Sequence, residues 1–239
     1  DLPINFHKQY HKWNVMGKRL NAYIITKNYV QFCFEVETGK KKEVNTHIGI
    51  DSGINALATC STGNMYGQDI KECVSRVKRC KHGSNGQKTA RRALRQRIDE
   101  ITKELITKEN PDLVVVEQLK NLGHKTKAKR LLAKNIRRSI GIWNWRYGLM
   151  RLEQQCEENR VSFRSVSPYN TSITCSNCGH ADRMNRQSQE CFCCQKCGHT
   201  DNADINASRN ILSRFILGKY GSQCKQEKKD DNLPLGKFV

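Results

Sequence analysis

Apolar and polar positions alternate in short blocks along the first sixty residues, and this pattern predicts β-strands. Arg19–Thr26 and Tyr29–Glu37 are rich in aromatic and β-branched residues and predict a hairpin around a Lys27-Asn28 turn. Thr46–Asp51 predicts a buried strand that ends in a carboxylate, and Ala56–Thr59 predicts the strand that follows it. We therefore expect mainly β structure between Lys18 and Cys60.

The pattern becomes helical after Ile70. The stretch Ile70–Glu109 is strongly basic and is interrupted around Gly83–Gly86. In its second half, four apolar residues are spaced as one face of a helix, namely Ala93, Ile98, Ile101 and Leu105. Pro111 predicts the end of this helix.

A second apolar run, Leu113–Glu117, also ends in a carboxylate. Its continuous β-branched residues predict a central strand that is covered on both faces. The elements expected after it are a lysine-rich loop at 120–134, a helix at Arg137–Asn159, a strand at Val161–Val166, a helix at Asp204–Leu217 and a loose polar tail after Gly218.

The charge balance indicates an anionic partner. Lys and Arg number 42 against 23 Asp and Glu, which gives a net charge of +19. The longest apolar runs, such as Leu113–Val116, are too short to cross a bilayer, and no signal peptide pattern is present, so we expect no membrane partner. The basic segments Arg76–Arg97 and Lys120–Arg138 predict contacts with nucleic acid, with a solvated helix face as the alternative.

Four of the twelve cysteines have the spacing of a metal site. They form two Cys-x-x-Cys-Gly knuckles, which predict a structural zinc ion bound by Cys175, Cys178, Cys194 and Cys197. Cys191 and Cys193 crowd the second knuckle and are alternative ligands. Because this pattern fits a metal site better than a disulfide framework, we expect the protein to reside in a reducing cytosol.

Three acids are candidate ligands for catalytic magnesium. Asp51 and Glu117 end apolar strands, and Asp204 stands at the start of the last predicted helix. Carboxylates from separate segments that converge on one point can hold two Mg²⁺ ions for phosphodiester hydrolysis. Each acid has a simpler alternative, since Asp51 and Glu117 could face solvent at a strand end and Asp204 could be a helix N-cap.

The order of these motifs resembles that of a known family. The chain resembles the split RuvC domain of transposon-encoded TnpB (OrfB) proteins in the order of four motifs. These are Gly49-Ile-Asp51-Ser-Gly53, Val115-Val-Glu117-Gln-Leu119, the four-cysteine ribbon at Cys175–Cys197 and Ala203-Asp-Ile-Asn-Ala207. Compact type V CRISPR effectors share this layout. The resemblance implies an α/β fold, namely an RNase H-like (RuvC) mixed sheet flanked by helices, with an inserted four-cysteine zinc ribbon and a short N-terminal β segment. It also implies that Asp51, Glu117 and Asp204 are the catalytic, magnesium-binding triad. Asp201 is a rival for the third position.

The resemblance also implies a function. Similar proteins are RNA-guided, Mg²⁺-dependent DNA endonucleases, often called transposases, and their partners are DNA and a guide RNA. We therefore expect such an enzyme, in the cytoplasm of a prokaryote and associated with the nucleoid. A strand-joining transposase and a non-cutting nucleic-acid-binding regulator, or inactive remnant, are the alternatives.

The same comparison divides the chain into five parts. Residues 1–45 resemble the remnant of a wedge-type β domain, and 46–170 a nuclease core with a basic helical insertion. A zinc ribbon is expected at 171–200, the third nuclease motif with its helix at 201–217, and a flexible tail at 218–239. Family members usually carry a much longer segment before the first aspartate motif. The resemblance thus implies an N-terminally truncated form, or dependence on a missing N-terminal recognition region or partner.

Overall fold

A computed structural model describes residues 4–37, 45–53, 55–118, 142 and 145–218 of the chain. These residues fall into two compact units, residues 4–37 and residues 45–218. The predicted lysine-rich loop at 120–134 and the predicted tail after Gly218 lie outside the described residues, as does the beginning of the helix predicted at Arg137–Asn159.

The N-terminal unit is a helix followed by a hairpin: α1 (Lys8–Met16), β1 (Lys18–Ile25) and β2 (Val30–Glu35). The strands are antiparallel, and the amide and hydroxyl of Thr26 both donate to the carbonyl of Tyr29 across the turn. The ring of Tyr10 packs 5.2 Å from that of Phe32 and 5.6 Å from that of Phe34. The predicted hairpin is confirmed. α1 has no buried side chain, and so no apolar periodicity marks it in the sequence.

The larger unit contains a five-stranded sheet made of β3 (His47–Asp51), β4 (Ala58–Cys60), β5 (Met65–Tyr66), β6 (Leu113–Glu117) and β7 (Ser162–Val166). The strand order is β5-β4-β3-β6-β7. Strands β3, β6 and β7 are parallel, whereas β4 and β5 are antiparallel to their neighbours. The predicted α/β class with a mixed sheet is confirmed, and the two-residue strand β5 adds to it.

In the part of the chain that the structure describes, four α-helices of more than one residue accompany the sheet: α2 (Ile70–Arg79), α3 (Asn85–Glu109), α4 (Trp145–Glu158) and α5 (Ala203–Ile216). The predicted break between α2 and α3 is confirmed, and Ser84 caps α3 by accepting from the amide of Gln87 at 3.1 Å. The predicted helix face is wrong at Ala93, which is exposed. Ala90 and Leu94 are buried instead, because they are spaced by three or four residues from the rest of the apolar stripe.

Helices cover both faces of the sheet. Val114 and Val116 of β6 belong to the core formed with α2, α3 and α4, whereas Leu113 and Val115 pack with Ile211 of α5. Successive residues of a strand point to opposite faces, and the prediction of a central strand covered on both faces is therefore confirmed. None of the described helices is long and apolar enough to cross a membrane.

α5 packs closely against Gly49 of β3. A Cβ built on Gly49 would lie 2.2 Å from the carbonyl oxygen of Ser208 and 2.8 Å from the backbone nitrogen of Leu212. A side chain at this position would therefore push the helix away. Asp51 lies two residues beyond Gly49, and Asp204 lies one helical turn before Ser208. The tight packing thus brings the two acids to the same end of the sheet.

Candidate metal centres

Four cysteine sulfurs converge in the segment of chain that connects β7 to α5. The Sγ atoms of Cys175, Cys178, Cys194 and Cys197 all lie within 4.8 Å of one another. The distance is 3.7 Å between Cys175 and Cys197 and 3.6 Å between Cys178 and Cys194. A tetrahedral zinc ion with Zn–S bonds of about 2.3 Å requires sulfurs roughly 3.8 Å apart. The predicted ligand set therefore has the spacing that one zinc ion needs.

The two knuckles are built alike. The glycine after the second cysteine has a positive φ in each, 74° at Gly179 and 71° at Gly198, a conformation that disfavours other residues. Each glycine amide donates to the carbonyl of the first cysteine, at 2.9 Å and 3.0 Å respectively. The side chain of Asn185 joins the knuckles, because it donates to the carbonyl of Ile173 and accepts from the amide of Gln195.

Cys191 and Cys193, the alternative ligands, lie outside this cluster. Both belong to β8 (Cys191–Cys193), which pairs with β9 (Thr200–Asn202). Phe192 between them is fully buried in the small core of the ribbon. Successive strand residues alternate in direction, so the two cysteines point away from the face that Phe192 occupies.

Asp51 and Glu117 end neighbouring parallel strands. β3 and β6 pair with Ile50 opposite Val116, and each acid is one residue further along its strand. The two side chains therefore leave the sheet side by side, at its carboxyl end. Both residues are partly buried, so the alternative of freely solvated strand-end acids does not hold.

The third acid lies in the first turn of α5. Asn202 is the N-cap of this helix, since its side-chain oxygen accepts from the amides of Asp204 at 2.9 Å and Ile205 at 3.3 Å. The alternative that Asp204 is itself the cap is therefore wrong. The carboxylate of Asp204 is turned toward the loop after β3, where its Oδ2 would lie 4.0 Å from a Cβ built on Gly53.

Asp51 interacts electrostatically with the other two carboxylates. Burial, reinforced by the charges of Glu117 and Asp204, raises the pKa of Asp51 from 3.8 to about 7. Burial also raises the pKa of Glu117, and Thr171 and Arg214 oppose that shift. A divalent cation offsets both burial and mutual repulsion, so these acids fit a cation site.

The carboxylates are spaced more widely than the sulfurs. Among the described residues, only the cysteine quartet brings three or more ligand atoms within 4.8 Å of one another. Two Mg²⁺ ions lie about 3.5–4 Å apart and each binds its oxygens at about 2.1 Å. Oxygens bound at the outer ends of such a pair are therefore more than 4.8 Å apart. The wide spacing of the three carboxylates is therefore compatible with a site for two Mg²⁺ ions.

One cationic side chain reaches the acids from the ribbon. Arg186 Nη2 donates to Asp204 Oδ1 at 3.1 Å and to the carbonyl of Gln189 at 3.0 Å, and its charge lowers the pKa of Asp51. Sequence reasoning missed Arg186, because it is one of 42 basic residues and stands in the spacer between the knuckles. Only the folded ribbon directs it to the carboxylates.

Asp201, the rival third ligand, is engaged elsewhere. It forms an ion pair with Arg209 and lies 3.9 Å from His199 Nε2. The charges that raise the pKa of Asp51 are those of Glu117 and Asp204, and Asp201 is not among them. The geometry thus favours Asp204 over Asp201.

α5 also holds the segment that leads into the ribbon. Asn206, Asn210 and Arg214 are spaced by four residues and so line one face of the helix. Asn206 and Asn210 both donate to the carbonyl of Thr174, at 2.8 Å and 2.6 Å. Arg214 donates to the carbonyl of Ser167 at 2.7 Å. A single helix therefore supplies one acid of the cluster and anchors the chain beside another.

α2 and the first half of α3 present a basic surface. Its exposed cations are Lys71, Arg76, Arg79, Lys88, Arg91, Arg92 and Arg95. Glu72 is the one acid between residues 70 and 97, all of which the structure describes. The second predicted basic segment, Lys120–Arg138, lies outside the described residues.

Fold and centres together define a class of protein: a mixed-sheet α/β domain with a four-cysteine ribbon inserted beside a carboxylate cluster. Residues 145–211 match the family model of the Cas12f1-like TNB domain. This range covers α4, β7, the ribbon and the first part of α5. The chain therefore carries a Cas12f1-like TNB domain, and its resemblance to the TnpB family and to compact type V effectors is confirmed.

Two curated relatives illustrate the match. InsQ of Escherichia coli K12, a TnpB-family RNA-guided DNA endonuclease, is 30% identical over 195 residues, which are 70% of this chain and 48% of InsQ. Cas12m of Thermanaerosceptrum fracticalcis, a CRISPR-associated DNA-binding protein, is 37% identical over 62 residues, 26% of this chain and 10% of Cas12m. The matched part of the chain thus spans about half of InsQ and a small part of Cas12m.

A solved structure shares the fold. The cryo-EM structure of a Cas12f1–sgRNA–target DNA complex aligns with a TM-score of 0.52 and 18% identity, over 81% of this chain and 65% of that one. At this level of identity the similarity concerns the fold. It is consistent with the mixed sheet and with the helices on its two faces.

Proposed function

We propose that this chain is a TnpB-like RNA-guided DNA endonuclease with Asp51, Glu117 and Asp204 as its catalytic carboxylates. The observation that carries the proposal is the convergence of these acids from β3, β6 and α5 on one end of the sheet. The pKa of Asp51, which burial and two neighbouring acids raise to about 7, supports the proposal. Strongly shifted pKa values of this kind cluster at functional sites. The order β5-β4-β3-β6-β7, three antiparallel strands followed by two parallel ones, supports an RNase H-like (RuvC) fold.

The three acids offer the hard oxygen ligands that Mg²⁺ prefers, and we assign two Mg²⁺ ions to them. When bound, such ions lower the pKa of water and offset the charge that develops on the leaving oxygen of a phosphodiester. Asp51 depends most on the cations, since burial and two acidic neighbours oppose its ionisation. Arg186 forms an ion pair with Asp204, and its positive charge beside the acids would favour the approach of an anionic phosphate.

Zinc is the metal that we assign to the cysteine quartet. Four thiolates leave no open coordination position, so the ion would have a structural role. In the proposed division, the ribbon at 171–200 interrupts a nuclease core made of residues 46–170 and 201–217. Its part in the reaction would be to place Arg186 and the beginning of α5 beside the acids.

Guide RNA and DNA are the proposed partners. The relative with a similar fold was solved together with an sgRNA and target DNA, and InsQ is an RNA-guided endonuclease. The exposed cations of α2 and α3 supply phosphate contacts of the kind that release counterions from a nucleic acid.

A non-cutting nucleic-acid-binding protein is the second candidate. It is favoured by the match to Cas12m, a DNA-binding protein. We prefer the endonuclease because a cluster of partly buried acids costs free energy that binding of nucleic acid alone does not require. Burial raises the pKa of two of these acids, Asp51 and Glu117.

The deciding experiment measures cleavage of labelled single- and double-stranded DNA by the chain with its co-purified RNA, with and without Mg²⁺. Wild type should cut only with Mg²⁺, whereas Asp51→Ala and Glu117→Ala should bind DNA without cutting it. Asp201→Asn is the matched control and should still cut. If wild type binds RNA and DNA but cuts neither form of DNA at any Mg²⁺ concentration, the binding protein replaces the endonuclease.

A further inference from the structure

A buried hydroxyl contacts one of the proposed catalytic carboxylates. Thr171 lies at the entry of the ribbon and is only 2% exposed. Its hydroxyl donates to Glu117 Oε1 and is also 3.2 Å from the carbonyl of Pro168. A hydroxyl has one hydrogen to donate, and an ionised carboxylate is the stronger acceptor. The hydrogen is therefore directed to Glu117.

Thr171 is itself held by α5. The side-chain amide of Asn210 donates to the carbonyl of Thr171 at 2.9 Å and to that of Thr174 at 2.6 Å. Asn206 adds a bond in the other direction, since its Oδ1 accepts from the amide of Ser176 at 2.9 Å. Ser176 follows the first zinc ligand directly. A continuous series of hydrogen bonds thus connects the first knuckle, α5, Thr171 and Glu117.

We propose that Thr171 is a positioning residue for Glu117, and that Asn210 of α5 fixes Thr171 in the place from which it acts. The inference rests on the proposed function, because it concerns the orientation of a carboxylate toward Mg²⁺. Glu117 has a long side chain with several rotatable bonds, and its backbone fixes only where that side chain begins. A hydrogen bond to Oε1 restricts the rotamers of Glu117 and would leave its second oxygen to bind a cation.

The arrangement gives α5 two roles at the centre. Through Asp204 the helix supplies one ligand directly, and through Asn210 and Thr171 it orients a second one on a different strand. A displacement of α5 would therefore disturb two ligands together.

The test compares wild type with Thr171→Val, which has nearly the same shape but no hydroxyl, and with Thr171→Ser, which restores the hydroxyl. Thr102→Val is the matched control. Thr102 lies on α3 and is also buried, and its hydroxyl donates to the carbonyl of Ile98 in the same helix at 3.0 Å. Three quantities are measured: zinc per chain, the Mg²⁺ concentration that half-saturates the thermal shift of the protein, and the rate of DNA cleavage against Mg²⁺ concentration.

Thr171→Val should keep its zinc and its fold but need roughly 10- to 100-fold more Mg²⁺, or cleave that much more slowly at saturation. Thr171→Ser and Thr102→Val should behave as wild type. The inference is overturned if Thr171→Val responds to Mg²⁺ as wild type does, or if Thr171→Ser fails to restore the response.

Asn210→Ala provides a second route if Thr171→Val does not fold. It should weaken the Mg²⁺ response in the same direction while the zinc content stays the same, and an unchanged response would refute the inference. Failure of the proposed function has a different signature, because wild type itself would then show neither a Mg²⁺-dependent thermal shift nor cleavage.

Discussion

Arg186 of the ribbon and Asp204 of α5 form an ion pair at 3.1 Å, with both side chains largely shielded from solvent. The pair joins the zinc module to the carboxylate cluster, and the same guanidinium lowers the pKa of the nearby Asp51. Arg186, which is distant in sequence from the sheet strands, therefore makes Asp51 easier to ionise.

Replacement of Arg186 by alanine should raise the pKa of Asp51 above its present value of about 7. Ionised Asp51 is the form that binds a cation, so the acidic limb of the cleavage profile should move to higher pH, with lower rates at neutral pH. The pH dependence of cleavage at fixed Mg²⁺ measures this. Arg183→Ala, an exposed arginine nearby, is the control and should leave the profile in place.

Asp51→Asn should stabilise the Mg²⁺-free protein while it abolishes cleavage. The folded pKa of about 7 exceeds the unfolded value of 3.8, so the folded state binds more protons between these values, and the free energy of unfolding falls as pH rises through this window. Asparagine removes that cost, which is largest above pH 7 and vanishes below 3.8. Each kcal/mol gained raises Tm by roughly 2–4 °C.

Thermal unfolding in EDTA at several pH values tests the effect of Asp51→Asn. Asp201→Asn serves as the comparison, since it removes an ion pair with Arg209 and should not stabilise. An Asp51→Asn variant with the same Tm as wild type at pH 8 would contradict the electrostatic account of the cluster.

Cys194→Ser should remove bound zinc. Three thiolates and a hydroxyl hold zinc less strongly than the four sulfurs of the quartet. Because the ribbon folds around the metal, the variant should also lose stability. Elemental analysis should give one zinc per chain for wild type and for Cys191→Ser, whose sulfur lies outside the quartet. Loss of zinc from Cys191→Ser would show that the ligand set is wrong.

Gly49→Ala should destabilise the fold and weaken the Mg²⁺ response together. The added methyl group would lie 2.2 Å from the carbonyl of Ser208, a backbone atom that cannot yield without moving α5. Overpacking of this kind costs about 1–3 kcal/mol. Gly86→Ala, whose new Cβ would meet nothing closer than 3.8 Å, is the control and should unfold at the same temperature as wild type or higher.

Alanine at Lys88, Arg91 and Arg92 should weaken binding of DNA and RNA and reduce its salt dependence. These exposed cations lie on successive turns of α3. If each neutralises one phosphate, the slope of log K against log salt should become shallower by about 0.9 per residue for duplex DNA. Lys108→Ala, whose ammonium is paired with Glu104 at 2.7 Å, should change the slope little. An unchanged slope in the triple variant would identify this face as merely solvated.

Local patterns made several features of this protein predictable. The strand Leu113–Glu117 has the same bounds in the structure, because a β-branched run between Pro111 and a carboxylate has few alternatives. The cysteine spacing gave the four sulfurs that converge, since a knuckle is a local turn whose geometry depends on a few neighbouring residues. The roles of the three acids, the division into five parts and the cytoplasmic location stay predictions.

Features that depend on distant partners were not accessible in this way. Arg186 and Thr171 acquire their contacts only when the ribbon packs against α5 and β6, and neither is marked by spacing or hydrophobicity. The error at Ala93 has a different origin. Ala93 lies five residues before Ile98, which breaks a spacing of three and four residues, whereas Leu94 and Ala90 continue that spacing and are the buried positions.

The position of α5 in the chain has a consequence for biosynthesis. Asp51 and Glu117 are translated before Asp204, which follows Asp51 by about 150 residues. At roughly 5–20 residues per second, Asp204 follows Asp51 by about 8–30 seconds, and during that time the face of the sheet that α5 covers has no helix to pack against it. The helix that finally covers Val115 also delivers the last acid. Under the proposed function, completion of the hydrophobic core and the onset of nuclease activity are one event, and a nascent chain cannot cut before it has finished folding.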